Sequence, residues 1–231
     1  MWSPPVKNRS CRRSRPRSCA ATGGDLGDVP RHLDRLTGAD VADLRQLYWT
    51  RAEAVVGEPL GEKVFVDKLP LHIVDLGLIN VIFPDAKILV ALRDPRDVCL
   101  SCLMQWFRLN IAMVHFLSLA DTAAFYADVM GFWQAIRGRL TLRSMEVRYE
   151  DTVTDLPGQA RRILDLLGVD WNDSVLSFHE QAAGRSIFTP SYTTVTEKVH
   201  TRAIGRWRNY ERHFEPVREI LAPYVAAFGY S

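Results

Sequence analysis

Lys87-Ile88-Leu89-Val90-Ala91-Leu92-Arg93-Asp94-Pro95-Arg96-Asp97-Val98-Cys99-Leu100-Ser101 is the stretch from which the fold of this chain is best read. Ile88 to Leu92 is a short apolar run and predicts a buried strand. The run stops at Arg93-Asp94-Pro95, where Asp94 suits a helix N-cap and Pro95 the first helical position. Arg93 is thereby placed at the carboxyl end of a strand and Ser101 two turns into the next helix. Ligands bind at that end of open α/β sheets, and a helix N-terminus there favours an anion. The stretch therefore predicts an anion site suited to a phosphate.

Upstream, Val64, Phe65 and Val66 read as another strand, followed by Asp67-Lys68-Leu69-Pro70 and a helix to about Phe83. Pro84-Asp85 turns the chain into the strand 87–92. A strand–helix–strand unit of about 30 residues has the size of a βαβ crossover, so the two strands should be parallel. Before it, residues 25–57 have Leu33, Leu36, Val41, Leu44 and Leu47 at amphipathic spacing, and Gly57 and Gly61 break that helix.

Downstream, the helix from Pro95 should run to about Phe107. Asp97, Ser101 and Gln105 fall at i, i+4 and i+8, a polar stripe that faces either water or a ligand groove. A long helix is predicted over 119–139, with Phe125, Val129, Phe132, Trp133 and Ile136 on its apolar side. Met145 to Tyr149 reads as a third short strand. Residues 155–167 form an amphipathic helix stopped by Gly168. Residues 183–201 read as a long loop, of the kind that is often functional. Helices around 201–211 and 215–227 close the chain.

Composition sets bounds on function. The chain has 231 residues, 47% hydrophobic and 24% charged, enough for one well-buried domain of ordinary soluble type. The net charge of +2 gives no reason to expect a nucleic-acid partner. The basic residues Lys7, Arg9, Arg12, Arg13, Arg15 and Arg17 all precede the first acidic one, Asp25, so residues 1–24 read as a basic, disordered tail and 25–231 as the domain. No run approaches the ~18–20 apolar residues of a membrane span. Cys99 and Cys102 form a C-x-x-C, but a zinc site needs two further ligands at matching spacing, and Cys11 and Cys19 do not form such a pair. Inside a helix rich in Leu and Met they read as packing in a reducing, cytoplasmic setting, with no metal implied.

Lys68, Arg93 and Tyr149 sit just past the three predicted strand ends. A point charge, a guanidinium fork and a flat ring with a hydroxyl converging on one sheet edge suit a phosphate-bearing ligand better than any one of them alone. No glycine-rich Walker or Rossmann loop accompanies them.

An ordered series of segments resembles the sulfotransferase family. It comprises Val66-Asp67-Lys68-Leu69-Pro70, Leu76-Gly77-Leu78-Ile79, Phe83-Pro84-Asp85-Ala86, Leu92-Arg93-Asp94-Pro95-Arg96-Asp97 and Cys99-Leu100-Ser101-Cys102. Val147-Arg148-Tyr149-Glu150, Thr189-Pro190-Ser191 and Arg206-Trp207-Arg208-Asn209-Tyr210 continue it, so that it covers about 61–212. The nearest branch looks like that of tetratricopeptide-repeat-linked and tyrosylprotein sulfotransferases. The resemblance implies a three-layer α/β/α, P-loop-like fold with a short parallel sheet. It also implies transfer of a sulfuryl group from 3′-phosphoadenylyl sulfate to a small-molecule or protein hydroxyl, or an amine, by in-line attack, with adenosine 3′,5′-bisphosphate as product. By the same resemblance Arg93 and Ser101 hold the 3′-phosphate and Tyr149 packs by the nucleotide. Ser191 begins a loop that closes over it, Arg206 is a basic residue of that site, and Lys68 neutralises charge on the leaving phosphate.

The chain departs from that pattern in several places. Gln105 stands where some relatives have arginine, and Thr194 and Thr196 where close relatives have glutamine and arginine. The family opens with a strand and a P-R-S-G-T-T-like loop that cradles the 5′-phosphosulfate. Here Pro16-Arg17-Ser18-Cys19-Ala20-Ala21 replaces the glycine by cysteine and both hydroxyls by alanine, with no apolar strand before it. It is either a remnant of the loop or a chance likeness in an Arg/Ser-rich tail, and the fold is on this reading N-terminally truncated. Gly24-Asp25-Leu26 resembles the segment carrying the general base, which makes Asp25 the base or, alternatively, a helix cap. The rival expectation is a catalytically impaired relative serving as a nucleotide-binding or protein-interaction scaffold. Loss of a central strand would leave open sheet edges, so the rival predicts poor solubility or a homodimer.

Overall fold

The computed structural model describes residues 33–177 and 199–231, which divide between two compact units, Met1–Pro84 and Asp85–Ser231. The basic tail, the Pro16–Ala21 segment, Asp25 and the long loop with Ser191 lie outside the described residues, the loop except at its very end.

In the first unit, helix α1 spans Gly38–Val56. A reciprocal cap starts it: the Asp40 amide donates to the Thr37 hydroxyl at 3.2 Å and the Thr37 amide donates to the Asp40 carboxylate at 2.9 Å. Gly57, left-handed at φ 82°, ends it. Beyond it, 64–69 is irregular chain, Pro70–Asp75 is a 3₁₀ turn and Leu76–Ile82 forms α2. Arg45 on α1 donates twice to the Ile82 carbonyl, at 2.9 and 2.6 Å, satisfying the end of α2.

The strand predicted over 64–66 does not form. Val64 and Val66 are 61% and 71% exposed, and no strand pairs with the segment among the described residues. β-Branched residues suit an extended backbone, but a strand also needs a partner ladder. The expected crossover between 64–66 and 87–92 is therefore absent.

The second unit holds the sheet: β1 (Lys87–Leu92) and β2 (Arg143–Arg148) run parallel and in register, from Lys87 opposite Arg143 to Leu92 opposite Arg148. Between them the chain passes through α3 (Pro95–Met104), a 3₁₀ turn at Met113–Phe116 and α4 (Leu119–Ile136). After β2 come α5 (Tyr149–Thr154) and α6 (Leu156–Leu167), the latter stopped by Gly168 as predicted. The fold is α/β with a short parallel sheet. β1 is buried on one face only: Val90 and Leu92 are inside, whereas Leu89 is 42% exposed.

The last part of the chain differs from its expected helices. The stretch 201–211 is a turn followed by a 3₁₀ run, Arg206–Tyr210, and a short helix α7, Glu211–Phe214. Helix α8 spans Arg218–Ala227. The core of this unit joins Cys99 and Leu100 of α3, Ala123 of α4, Trp207, Phe214, Val217 and Leu221. Cys99 is thus a packing residue. Burial pushes both thiols up, Cys102 to about 11, which keeps them protonated and unreactive. On α4 the interior takes Thr122, Ala123, Met130 and Trp133, while Phe132, expected inside, is 39% exposed.

Candidate functional site

The parallel register fixes the site. Because Leu92 lies opposite Arg148, the next residues, Arg93 and Tyr149, leave neighbouring strand ends side by side. The Arg93 guanidinium sits over the Tyr149 ring, 4.7 Å from its centroid. A cation held against an aromatic face keeps its edges free for hydrogen bonds. Arg93 Nη2 donates to the Ala203 carbonyl at 2.6 Å, and its Nε is buried with no hydrogen-bond partner among the described residues. A buried donor without an acceptor marks a place where an acceptor belongs.

Behind the arginine, Asp97 is 1% exposed. Its carboxylate lies 3.6 Å from Arg93 Nη2 and accepts the backbone N–H groups of Gly205 at 2.7 Å and Trp207 at 2.9 Å. One buried carboxylate thus ties the first turn of α3 to the 203–207 turn and faces the cation that the sequence places at the site. The polar stripe on α3 does not act as one face: Asp97 is buried as an anchor to the 203–207 turn, which neither alternative foresaw, and Ser101, one turn further on, is exposed.

The start of α3 is fixed on its other side. Asp94 caps the helix by accepting the Arg96 amide at 2.9 Å, and it holds the Arg96 guanidinium with both oxygens at 2.9 and 2.7 Å. Arg96 lies over the Trp207 ring at 3.9 Å. The Asp94 amide donates to Glu150 at 3.0 Å, and the other oxygen of Glu150 accepts the Tyr230 hydroxyl at 2.8 Å. Burial and the Glu150 carboxylate push the Tyr230 phenol up, so that it remains a donor. Asp97, Glu150 and Tyr230 were not singled out from the sequence as site residues. The signal available for Asp97 was its i, i+4 spacing from Arg93 across a cap; for the other two the partners lie too far along the chain.

Arg206, exposed, reaches α3 as well, with Nη2 3.4 Å from the sulfur of Met104. The structure therefore brings Arg93, Tyr149 and Arg206 to the region around α3, whose exposed side carries Ser101. Lys68 belongs to the first unit, exposed in the irregular segment before Pro70. Asp25 and Ser191 fall outside the described residues. Among the described residues no group of three or more His, Cys, Asp or Glu is arranged to hold a metal ion, and no helix is long and apolar enough to cross a membrane.

This arrangement depends on the backbone at Gly205. It has φ 66°, and a Cβ there would run into the Arg208 guanidinium. Gly205→Ala is expected to cost about 1–2 kcal/mol of stability, read as a shift in denaturant midpoint, because alanine resists a left-handed backbone.

Comparison with known proteins places this geometry in context. A profile described as the sulfotransferase family matches residues 18–173, more than half of the chain. An uncharacterised protein of Aquifex aeolicus is 27% identical over 161 residues, which are 68% of this chain and 20% of that protein. Protein-tyrosine sulfotransferase 1 of Danio rerio is 27% identical over 187 residues, 75% of this chain and 50% of the relative. Sulfotransferase 2A6 of Mus musculus is 24% identical over 173 residues, 65% of this chain and 58% of the relative. The chain thus spans between 20% and 58% of the length of these three proteins. The matched span contains the paired strand ends, Arg93, Asp97, Ser101 and Tyr149, and by that match the chain belongs to the sulfotransferase family.

Proposed function

We propose that the chain transfers a sulfuryl group from 3′-phosphoadenylyl sulfate to a hydroxyl or amine acceptor. The observation that carries the reading is the Arg93 grip: a guanidinium stacked on Tyr149, backed by Asp97, with a buried Nε that has no partner among the described residues. A phosphate supplies the acceptor oxygens which that donor set lacks, so the residues fit the nucleotide. Arg93 and Ser101 would hold its 3′-phosphate, Tyr149 would pack by the nucleotide, and Arg206 and Ser191 would close the site. The donor supplies the sulfuryl group that is transferred. Lys68 would neutralise charge on the phosphate that leaves, and Asp25 would take the proton of the acceptor. A protein acceptor accords with the tyrosine specificity named in one relative, and a small molecule serves the same chemistry.

A second reading rests on a specific observation. Cys19, Ala20 and Ala21 stand where the family's 5′-phosphosulfate loop has glycine and two hydroxyls. On that reading the chain binds the nucleotide through Arg93 and Ser101 but does not transfer sulfate. The family match beginning at Ser18 supports the first reading by including this segment in the domain.

Thermal shift with adenosine 3′,5′-bisphosphate tests the site common to both. At about 100 times Kd, a ligand that binds only the folded chain adds about 2.7 kcal/mol, a rise in Tm of roughly 5–10 °C at this size. A flat titration would remove the nucleotide site. Binding without release of labelled sulfate to phenols, peptides or water would select the second reading.

A further inference from the structure

Lys68 is carried by a segment with no strand partner among the described residues, and something else must fix its position. Residues 64–69 form neither helix nor strand, and Val64, Val66 and Lys68 are exposed. Phe65 and Asp67, by contrast, are held by α1. The Phe65 ring meets Tyr48 edge-on at 6.4 Å and Trp49 at 5.8 Å, and both of those rings contact Phe83, at 4.9 and 5.6 Å. The Tyr48 hydroxyl donates to Asp67 Oδ2 at 2.9 Å. The 3₁₀ turn then brings His72 back, with Nε2 3.3 Å from Asp67 Oδ1 and Nδ1 3.4 Å from Asp75. Both oxygens of Asp67 are thereby taken, one by each side of the strap.

We propose that Tyr48 and His72 are positioning residues for Lys68: by clamping the two oxygens of Asp67 they fix the backbone beside the neighbouring lysine and so hold its place. The inference rests on the reading of Lys68 as the residue that neutralises the leaving phosphate. His72 acts as a tie, since its ring nitrogens face the Asp67 and Asp75 carboxylates. The Tyr48 ring is itself wedged among Trp49, Phe65 and Phe83, which gives the strap a rigid foot on a helix of three turns or more. Desolvation and the Asp67 carboxylate push the Tyr48 phenol up to about 12, in keeping with a permanent donor.

The test uses Tyr48→Phe and His72→Gln in the full chain, with labelled 3′-phosphoadenylyl sulfate as donor and p-nitrophenol or water as acceptor. Loss of one such hydrogen bond is expected to lower kcat about 3–10-fold while the affinity for adenosine 3′,5′-bisphosphate stays unchanged. In a Lys68→Ala background the same substitutions are expected to cost nothing further, because residues that act through one group are not additive. Independently of turnover, the backbone 15N order parameters of 64–69 are expected to fall in Tyr48→Phe while those of α1 stay unchanged. Unchanged order parameters, or an undiminished loss of kcat in the Lys68→Ala background, overturn the inference. If Lys68→Ala alone leaves kcat intact, the role of Lys68 falls instead, and the order parameters still report whether the strap exists.

Discussion

Arg93→Ala is expected to raise the Kd for adenosine 3′,5′-bisphosphate about 100-fold, measured by isothermal titration calorimetry, because a partly desolvated guanidinium–phosphate contact is among the strong polar interactions. The side chain is 21% exposed and its guanidinium is oriented on three sides, by Tyr149, Asp97 and the Ala203 carbonyl. Little of its binding energy need therefore be spent on ordering it. Arg93→Lys restores the charge without the planar fork and is expected to recover only part of the affinity. The free protein should lose less than the complex, since Asp97 keeps its two backbone donors when the arginine is gone. A Kd within about threefold of the parent would show that the phosphate is held elsewhere, since one good polar contact is worth more than that.

The second large effect belongs to Asp97. Its side chain is fully buried against Arg93 and two backbone N–H groups. Removing it leaves two amides without their acceptor and a cation with one fewer counter-charge, a combination that costs about 3–5 kcal/mol. Asp97→Ala should therefore lower Tm by roughly 10 °C in scanning calorimetry at this chain size. Asp97→Asn keeps the shape and one acceptor oxygen but turns an N–H toward a donor, so it is expected to fall between. Nucleotide binding should weaken in both, since the 203–207 turn loses its tie to α3. A Tm that moves by no more than about 2 °C in the alanine variant would contradict the anchoring role.

Both residues bear on how far the sequence could be read. Arg93 was legible because its signals are local: an apolar run ends, an aspartate caps, a proline begins a helix. The same holds for α6, where Gly168 gives the stop. Asp97 was visible as a polar stripe but not as an anchor, because its partners, Gly205 and Trp207, lie 108 and 110 residues further on. A stripe at i, i+4 looks the same whether water or a distant turn satisfies it. Glu150 and Tyr230, 80 residues apart, escaped for the same reason. The segment 64–66 failed in the opposite direction. Its residues have strand propensity, but pairing is a property of two segments, and only 87–92 and 143–148 found each other among the described residues. The placement of Arg93 and Tyr149 at the two strand ends of the second unit could be foreseen from the pattern; which buried groups hold them in place could not.

The span from Asp97 to Trp207 also bears on how the protein is made. Synthesis proceeds from the N-terminus, so α3 is complete long before the turn that satisfies its carboxylate has been added. Until then any collapse of α3 onto its neighbours must either keep Asp97 wet or bury a charge without its donors, and the second is costly. The helix is thus discouraged from settling early, and the core around Cys99 and Trp207 closes late, as contacts of long sequence separation do. The cluster of Arg93, Tyr149 and Asp97 is consequently among the last parts of the nascent chain to assemble.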